Sequence, residues 1–435
     1  VCFLDDDSTK AGTYIHGVKV QGGIGDLGDL IDREGIQAVI VAIPRLNHKK
    51  LKDIYNVVVK NKVPTIKIVP RIYDYESPDL NLKSLEDISI EDLIGREAVT
   101  IDYGVISGFL KNKSVLITGA GGSIGSELVM QVCAFRPTRV ILFDVDETDL
   151  HTMNLRIGRQ YPYLTDKVSF IVGDIRDEQR VIEVFKEYTP QIVFHAAALK
   201  HVPMMEFNPK EAVKVNIFGT YIVAKIAQQH GVERFVMIST DKAVRPTSVM
   251  GATKRVAEEI CKAFNNTEWV NGKGQGAWGT REDASRTKFI SVRFGNVLGS
   301  RGSVIPLFLE QLKSGGPLTV THKDMVRYFM TIPEAVSLIL QASTMGEGGE
   351  VFVLDMGEPV KIVELAEELI RIHGLKPYVD IDIKFIGTRP GEKIFEEVLT
   401  AEEGTMASRH EKVFIARNDV KYSLTQIEEI LGEFR

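Results

Sequence analysis

The sequence predicts an α/β protein whose main body is a doubly wound parallel sheet. Three observations carry this expectation. Short apolar runs of strand length alternate with stretches of helical length from Ser114 to Val292. Such alternation implies parallel strands joined by helical crossovers. A glycine-rich turn, Gly119-Ala-Gly-Gly-Ser-Ile-Gly125, follows the first run and opens a helix. Small or polar residues close the later runs, at the edge where open α/β sheets bind ligands.

In chain order, residues 1–100 read as a first α/β unit. Val1–Asp5 reads as a strand ending in an acidic cluster. A helix-like stretch, Asp26–Glu34, precedes the apolar run Ala38–Ala42, which Pro44 closes. A second helix-like stretch, Asn47–Lys60, leads to the strand-like Thr65–Val69. Asp5, Asp6 and Asp7 are acidic enough to bind a ribose, but a strand-end turn is the simpler reading. The start looks like the second strand of a nucleotide-binding unit, so we expect a truncated domain cut from a longer protein. A linker runs from about Glu86 to Lys113 and includes Ile94-Gly-Arg-Glu97.

The second domain is expected at 101–299, with its sheet starting at Ser114. Its strands are Ser114–Thr118, Val140–Asp144, Val168–Val172, Ile192–His195, Phe235–Ile238 and Phe289–Val292. The polar, Gly-rich segment Asn265–Arg286, with Trp269 and Trp278, reads as a surface insertion. Residues 300–435 mix shorter elements and read as a small α/β region that caps the sheet and binds substrate.

Composition narrows the function. The 435 residues are 44% hydrophobic and 26% charged, a globular profile. The net charge of −6 offers no footprint for nucleic acid. Cys2, Cys133 and Cys261 have no metal-ligand spacing and read as reduced thiols. There is no apolar run of transmembrane length and no signal peptide.

The motifs point to a nucleotide cofactor. Backbone N–H groups at the start of the helix after Gly119, Gly122, Ser123, Ile124 and Gly125 can hold a pyrophosphate. Asp144 ends the next strand, where a carboxylate accepts from adenosine ribose hydroxyls. It repels a 2′-phosphate, and no cation follows in Val145-Asp-Glu147, so NAD is favoured over NADP. Asp146 is the competing carboxylate. Asp174 and Ile175 close the third strand, within reach of an adenine. Ala196, Ala197 and Ala198 close the fourth and leave room for a cofactor. His195 before them reads as a packed or hydrogen-bonded histidine. Thr240, Asp241 and Lys242 close the fifth; a capped turn would explain them too, since Thr and Asp are common N-caps. Met250 and Lys254 follow, at a spacing that shares one helix face. Downstream, Arg293, Asn296, Arg301, Ser303, Arg327, Arg389, Glu392 and Lys393 add cations and polar groups; such Arg residues can pair with a diphosphate, although each singly reads more simply as a surface charge.

Together these motifs resemble the extended short-chain dehydrogenase/reductases, a Rossmann-type group. More closely, they are similar to the large, membrane-associated polysaccharide-biosynthesis UDP-N-acetylglucosamine 4,6-dehydratases. The fit covers Gly119–Gly125, His195–Val202, Ser239–Lys254, Arg293–Ser300 and Arg389–Lys393. In the superfamily a Tyr sits four residues before the Lys and acts as base. Here that place holds Met250, whose thioether takes up no proton. The large dehydratases commonly carry Met there as well. The segment 265–286 departs from the pattern.

The resemblance implies a redox-neutral dehydration at a UDP-sugar. Hydride leaves C4 for NAD, water is lost across C5 and C6, and hydride returns to C6. It implies Asp241 as the acid for the leaving hydroxyl, Lys242 as the base for H5, and Thr240 as the group at the C4 hydroxyl. Lys254 would hold the cofactor ribose. The implied substrate set is Lys200, Asn296, Arg301, Ser303, Arg327, Arg389 and Glu392. A homo-oligomer is expected, as is a cytoplasmic setting in an inner-membrane protein whose membrane segments lie upstream. A C4 epimerase or 4-dehydrogenase would give Asp241 and Lys242 no task. A non-catalytic NAD-binding regulator would explain Met250 but not the Thr-Asp-Lys group.

Overall fold

The computed structural model describes the chain apart from residues 44–47, 70–84, 88–98, 267–286, 399–403, 417–421 and 435. Two compact units emerge, Val1–Val99 and Thr100–Arg435. The linker motif 94–97 and nearly all of the insertion, 267–286, lie outside the described residues.

In the first unit, Ala38–Val41 pairs in parallel with Thr65–Ile68, and helix His48–Lys60 connects them. Helix Leu27–Glu34 buries Leu27, Leu30 and Ile31 on one face and ends at Gly35, whose φ is +60°. Phe3–Leu4 is a short strand beside Val18–Gly22, which also pairs with Tyr14–Ile15. The last two strands are not legible in the sequence, because they are short and flanked by glycines. The acidic cluster is a turn. Asp5 accepts from Asp7 N, Asp6 from Ile24 N, and Asp7 caps a 3₁₀ turn through Thr9 N.

The second unit is built on a nine-stranded sheet. Its strands, numbered along the chain, are β1 (Ser114–Thr118), β2 (Arg139–Asp144), β3 (Val168–Val172), β4 (Ile192–His195), β5 (Arg234–Ile238), β6 (Lys288–Arg293), β7 (Val351–Leu354), β8 (Thr405–Ala407) and β9 (Val413–Ala416). The order is 8-9-7-6-5-4-1-2-3. Strands β1 to β7 run parallel, whereas β9 pairs antiparallel with β7 and β8 antiparallel with β9. The order reverses between β1 and β4, the kind of crevice where dinucleotides bind. β1 is buried along nearly all its length, as a strand covered by helices on both faces must be.

Six strands are expected from the sequence, and the sheet has three more. The additional strands all come from beyond residue 300, so that region extends the sheet. Val351–Leu354 is a short apolar run, and its partners are far away in sequence. The remaining pairs there are small: Asn296–Val297 with Phe329–Met330, Leu318–Val320 with Ile383–Phe385, and Val326–Arg327 with Val360–Lys361.

Four helices position the site. They are α1 (Ser123–Ala134), α2 (Glu147–Gln160), α3 (Thr220–Gln229) and α4 (Val249–Asn266). α4 turns Ala257, Ile260, Cys261 and Phe264 into the core that Phe235 and Phe289 fill from the sheet. The C-terminal helix Leu424–Glu433 buries Ile427 and Leu431 in that same core. Among the described residues, no helix is long and apolar enough to cross a membrane.

Candidate active site

The glycine turn between β1 and α1 is built for close approach. Gly119 has φ +67°, and a Cβ there would meet Ala197 N at 2.6 Å. A Cβ on Gly125 would stand 1.9 Å from the Gly119 carbonyl oxygen. Only glycines let the first turn of α1 fold down on the strand end, which leaves its N–H groups facing the crevice. Asp144 clamps the turn by accepting from Gly121 N at 2.8 Å and from Asp146 N at 3.0 Å. Asp146 is the N-cap of α2 and accepts from Asp149 N, so the competing carboxylate serves the fold.

His195 is fully buried between Thr118 Oγ1 at 2.8 Å and Thr220 Oγ1 at 3.0 Å. Thr220 donates its own proton to the Asn216 carbonyl, so His195 Nε2 carries the hydrogen and Nδ1 accepts from Thr118. Burial, helped by Lys254, pulls its pKa to about 3. It is a neutral core histidine, as its position predicts. Asn216 lies in a π-helical stretch, Val213–Gly219. It accepts from Leu199 N and donates to Leu199 O and Thr253 Oγ1, tying the Ala196–Ala198 wall to α4. A π-turn at a functional wall is a recurrent device, and nothing in the sequence marks it.

Beyond β5, Thr240 caps a single 3₁₀ turn over Asp241–Ala243. The capped-turn reading is therefore correct, and the same turn arranges the chemistry. Thr240 Oγ1 donates to Asp241 Oδ1 at 2.8 Å. Lys242 Nζ donates to the same oxygen at 2.9 Å and to Asn296 Oδ1 at 3.0 Å. Asp241 is 0% exposed, and its Oδ2 is buried without a hydrogen-bond partner.

Beneath this turn lies a buried ion pair. Arg293 Nε and Nη2 each donate to Glu258 at 2.7 Å, and Ser239 Oγ donates to the same carboxylate at 2.6 Å. Both charged side chains are 0% exposed. Burial opposes the Glu258 charge, but Arg293, Ser239 and Arg255 outweigh it and hold the carboxyl below its ordinary range. Arg293 is thus a structural cation and does not face a diphosphate, contrary to the sequence reading. Its burial is invisible locally, because its partner is on another element.

Met250, Lys254 and Glu258 follow one another along one face of α4. Met250 packs with Met205 and Ala212 and also faces the crevice. Lys254 is buried, and burial lowers its ammonium to about 8 against the opposing pull of Cys261 and Glu258.

These elements wall an open cleft of about 630 Å³. Its lining brings together Gly119, Gly122, Ser123, Ile124 and Gly125 with Ala196, Ala198 and Lys200. Thr240, Lys242, Met250 and Lys254 form the floor beside them. Asn296, Arg301, Ser303, Arg327, Arg389 and Glu392 form the far wall. Asp144, Asp174, Ile175, Ala197 and Asp241 are not among the lining residues. Asp174 is held by Arg176 at 2.7 Å, and Ile175 is buried against Gly219. Arg301, expected at the substrate, reaches the cofactor side: its N–H donates to Ser123 Oγ at 3.2 Å and its guanidinium pairs with Asp149. Asn296 serves Lys242. Ser303 Oγ, at the start of helix Val304–Lys313, is buried without a partner, as an oxygen awaiting a ligand would be. His201, Thr319 and Thr321 also line the cleft without having been singled out in the sequence. The glycine cradle, the small Ala wall and the clamped Asp144 fit a dinucleotide, and the remaining length of the cleft is free for a second ligand.

Comparison with known proteins agrees with this arrangement. The chain is 46% identical over 436 residues to the capsular polysaccharide biosynthesis protein CapD of Staphylococcus aureus, covering 100% of this chain and 69% of CapD. It is 35% identical over 299 residues to UDP-glucose 4-epimerase of Rickettsia bellii, covering 67% of this chain and 79% of that one. Pen from Bacillus thuringiensis superposes with a TM-score of 0.62 at 35% identity, covering 72% of this chain and 90% of Pen. The dTDP-glucose 4,6-dehydratase DesIV of Streptomyces venezuelae, solved with NAD bound, shares the fold with a TM-score of 0.53 at 22% identity, over 65% of this chain and 86% of its own. Residues 115–418 match the polysaccharide biosynthesis protein family, and the chain belongs to that family.

Proposed function

We propose that the chain is an NAD-dependent 4,6-dehydratase acting on a UDP-hexosamine, with UDP-N-acetylglucosamine as substrate. The observation that carries this reading is Thr240 and Lys242 on the cleft floor, both hydrogen-bonded to the buried Asp241. An elimination needs an acid and a base on neighbouring carbons, whereas a C4 epimerisation needs a base at the C4 hydroxyl alone. Gly119, Gly122, Ser123, Gly125, Asp144 and Lys254 would hold the dinucleotide. Bound NAD supplies the hydride acceptor and donor.

The residues of the chain account for the protons. Thr240 Oγ1 takes the C4 hydroxyl proton as it passes its own to Asp241 Oδ1, 2.8 Å away. Asp241 is thereby charged as an acid. Lys242 removes the proton from C5, the C6–O bond breaks, and the departing oxygen takes the Asp241 proton to leave as water. Lys242 then returns a proton to C5. The hydroxyl proton ends in the water released, so the cycle closes without an external acid or base. Met250 is a packing residue here, since the base has moved to the turn after β5. Ser303 and Arg389 would bind the diphosphate, with Asn296 holding Lys242.

The epimerase among the relatives favours one rival, a C4 epimerase. The test is to incubate the protein with UDP-N-acetylglucosamine in D2O and follow the sugar by NMR. A C6 methyl signal with no net NADH supports the dehydratase. UDP-N-acetylgalactosamine alone would show an epimerase, and NADH formed in step with product a 4-dehydrogenase. A role in surface polysaccharide synthesis, a homo-oligomer, and attachment to a membrane through the part of a longer protein not spanned here belong to the same proposal.

A further inference from the structure

A side chamber of about 130 Å³ opens behind Lys242, lined in part by Ser248, Arg327, Lys393 and Glu396. It shares Lys242, Arg327, Arg389 and Glu392 with the main cleft. A space of that size holds several waters. Glu396 is 8% exposed. Its Oε1 lies 3.8 Å from Lys242 Nζ and 3.9 Å from Arg327 Nη2. Its Oε2 is buried without a hydrogen-bond partner. Leaving such an oxygen unsatisfied is costly, and chamber water is the partner the site offers. Asp241 and Asn296 take two directions around the Lys242 nitrogen, and the ammonium formed when Lys242 takes the C5 proton has a third donor to place.

We propose that Glu396 and its chamber are a proton port, through which Lys242 exchanges with solvent the proton that it takes from C5. This rests on the dehydratase reading. Once Lys242 has become an ammonium, it passes a proton to the Glu396 carboxylate, directly or through one chamber water. The resulting carboxylic acid exchanges with the chamber waters and returns a proton to the Lys242 amine. Only N–H and O–H bonds form and break, and no co-reactant is required. Burial pushes the Glu396 carboxyl above its ordinary range; Lys242, Arg327 and Lys393 pull it down, and Asp241 adds to the rise. The net rise makes a carboxylate facing an amine a better proton acceptor. Glu396 is a positioning residue, since it acts through Lys242.

The C5 hydrogen of the product reads this out. In D2O the wild-type protein should give product deuterated at C5. Glu396→Gln should slow C5 exchange on the order of a hundredfold, the low end for a placed proton-transfer group. The product it still forms should keep the substrate hydrogen at C5. A folded Glu396→Gln protein that deuterates C5 as fully as wild type would overturn the port. So would wild-type product that retains the substrate hydrogen. If Glu396→Gln does not fold or forms no product, Glu396→Asp is read instead. Its carboxylate stands one methylene further back, so intermediate deuteration is expected and wild-type deuteration overturns the proposal. A wild-type protein that makes no 6-deoxy sugar overturns the dehydratase reading, and the port with it.

Discussion

Removing Glu258 tests whether the buried pair beneath the Thr240–Lys242 turn holds that turn in place. Glu258→Ala strips Arg293 of its two-bond carboxylate partner and Ser239 of its acceptor, all within the core. Breaking a buried pair from one side costs about 3–5 kcal/mol, because the remaining charge stays desolvated. The lost Ser239 hydrogen bond adds about 1 kcal/mol. Replacing both charges, as in Glu258→Leu with Arg293→Met, should restore most of that stability, since apolar side chains of similar volume often substitute for a buried pair without loss. Turnover should not return with it. Ser239 immediately precedes Thr240, and without the carboxylate its side chain no longer fixes the end of β5. Urea unfolding followed by circular dichroism gives the stability changes, and NMR of the sugar gives turnover. A single mutant that loses under about 1 kcal/mol would refute the energetic reasoning. A double mutant with full turnover would refute the positioning role.

Three further outcomes follow from the same geometry. Lys242→Ala should abolish both H5 exchange and water loss, whereas Asp241→Asn should block water loss more than exchange; full activity in either removes that residue from the scheme. Lys254 is depressed from 10.5 to about 8, so its burial costs stability below about 8, and the cost fades as pH rises towards 10.5. Lys254→Met should therefore be more stable than wild type at neutral pH by roughly 3 kcal/mol, lose that gain in alkali, and turn over little; equal pH–stability curves would contradict this. Asp144→Ala should weaken NAD binding and loosen the glycine turn it clamps, and calorimetry showing unchanged affinity would transfer the ribose role to another residue.

Local signals made much of this legible. The turn from Gly119 to Gly125 was readable because its backbone needs glycine and its neighbours are a strand and a helix. Thr240, Asp241 and Lys242 were readable because they sit together at a strand end. Groups that depend on distant partners were not. Glu258 looks like any helix-surface acid until Arg293, on β6, is found against it. Glu396 belongs to a pair of adjacent acids that reads as a solvated face. Asn216 is one polar residue in an apolar stretch, and its task appears only when the loop at Leu199 and α4 meet. The strands beyond residue 300 were missed for the same reason: β7 is four residues long, and β9 runs back against it from the far end of the chain.

The antiparallel return of β9 onto β7 also has a consequence for biosynthesis. β1, β2 and β4 emerge from the ribosome early and can pair as soon as they appear, so the glycine cradle forms on a short nascent chain. Arg327, Arg389 and Glu392 on the far wall of the cleft and Glu396 in the side chamber come much later, and β9, which pairs with β7, ends at Ala416. Pairings over such sequence distances form late. Synthesis thus builds the glycine cradle first and the Arg327–Glu392 side of the cleft last. A chain released before Arg327 would display a dinucleotide cradle and a Thr-Asp-Lys turn without the Arg327, Arg389 and Glu392 side of the cleft.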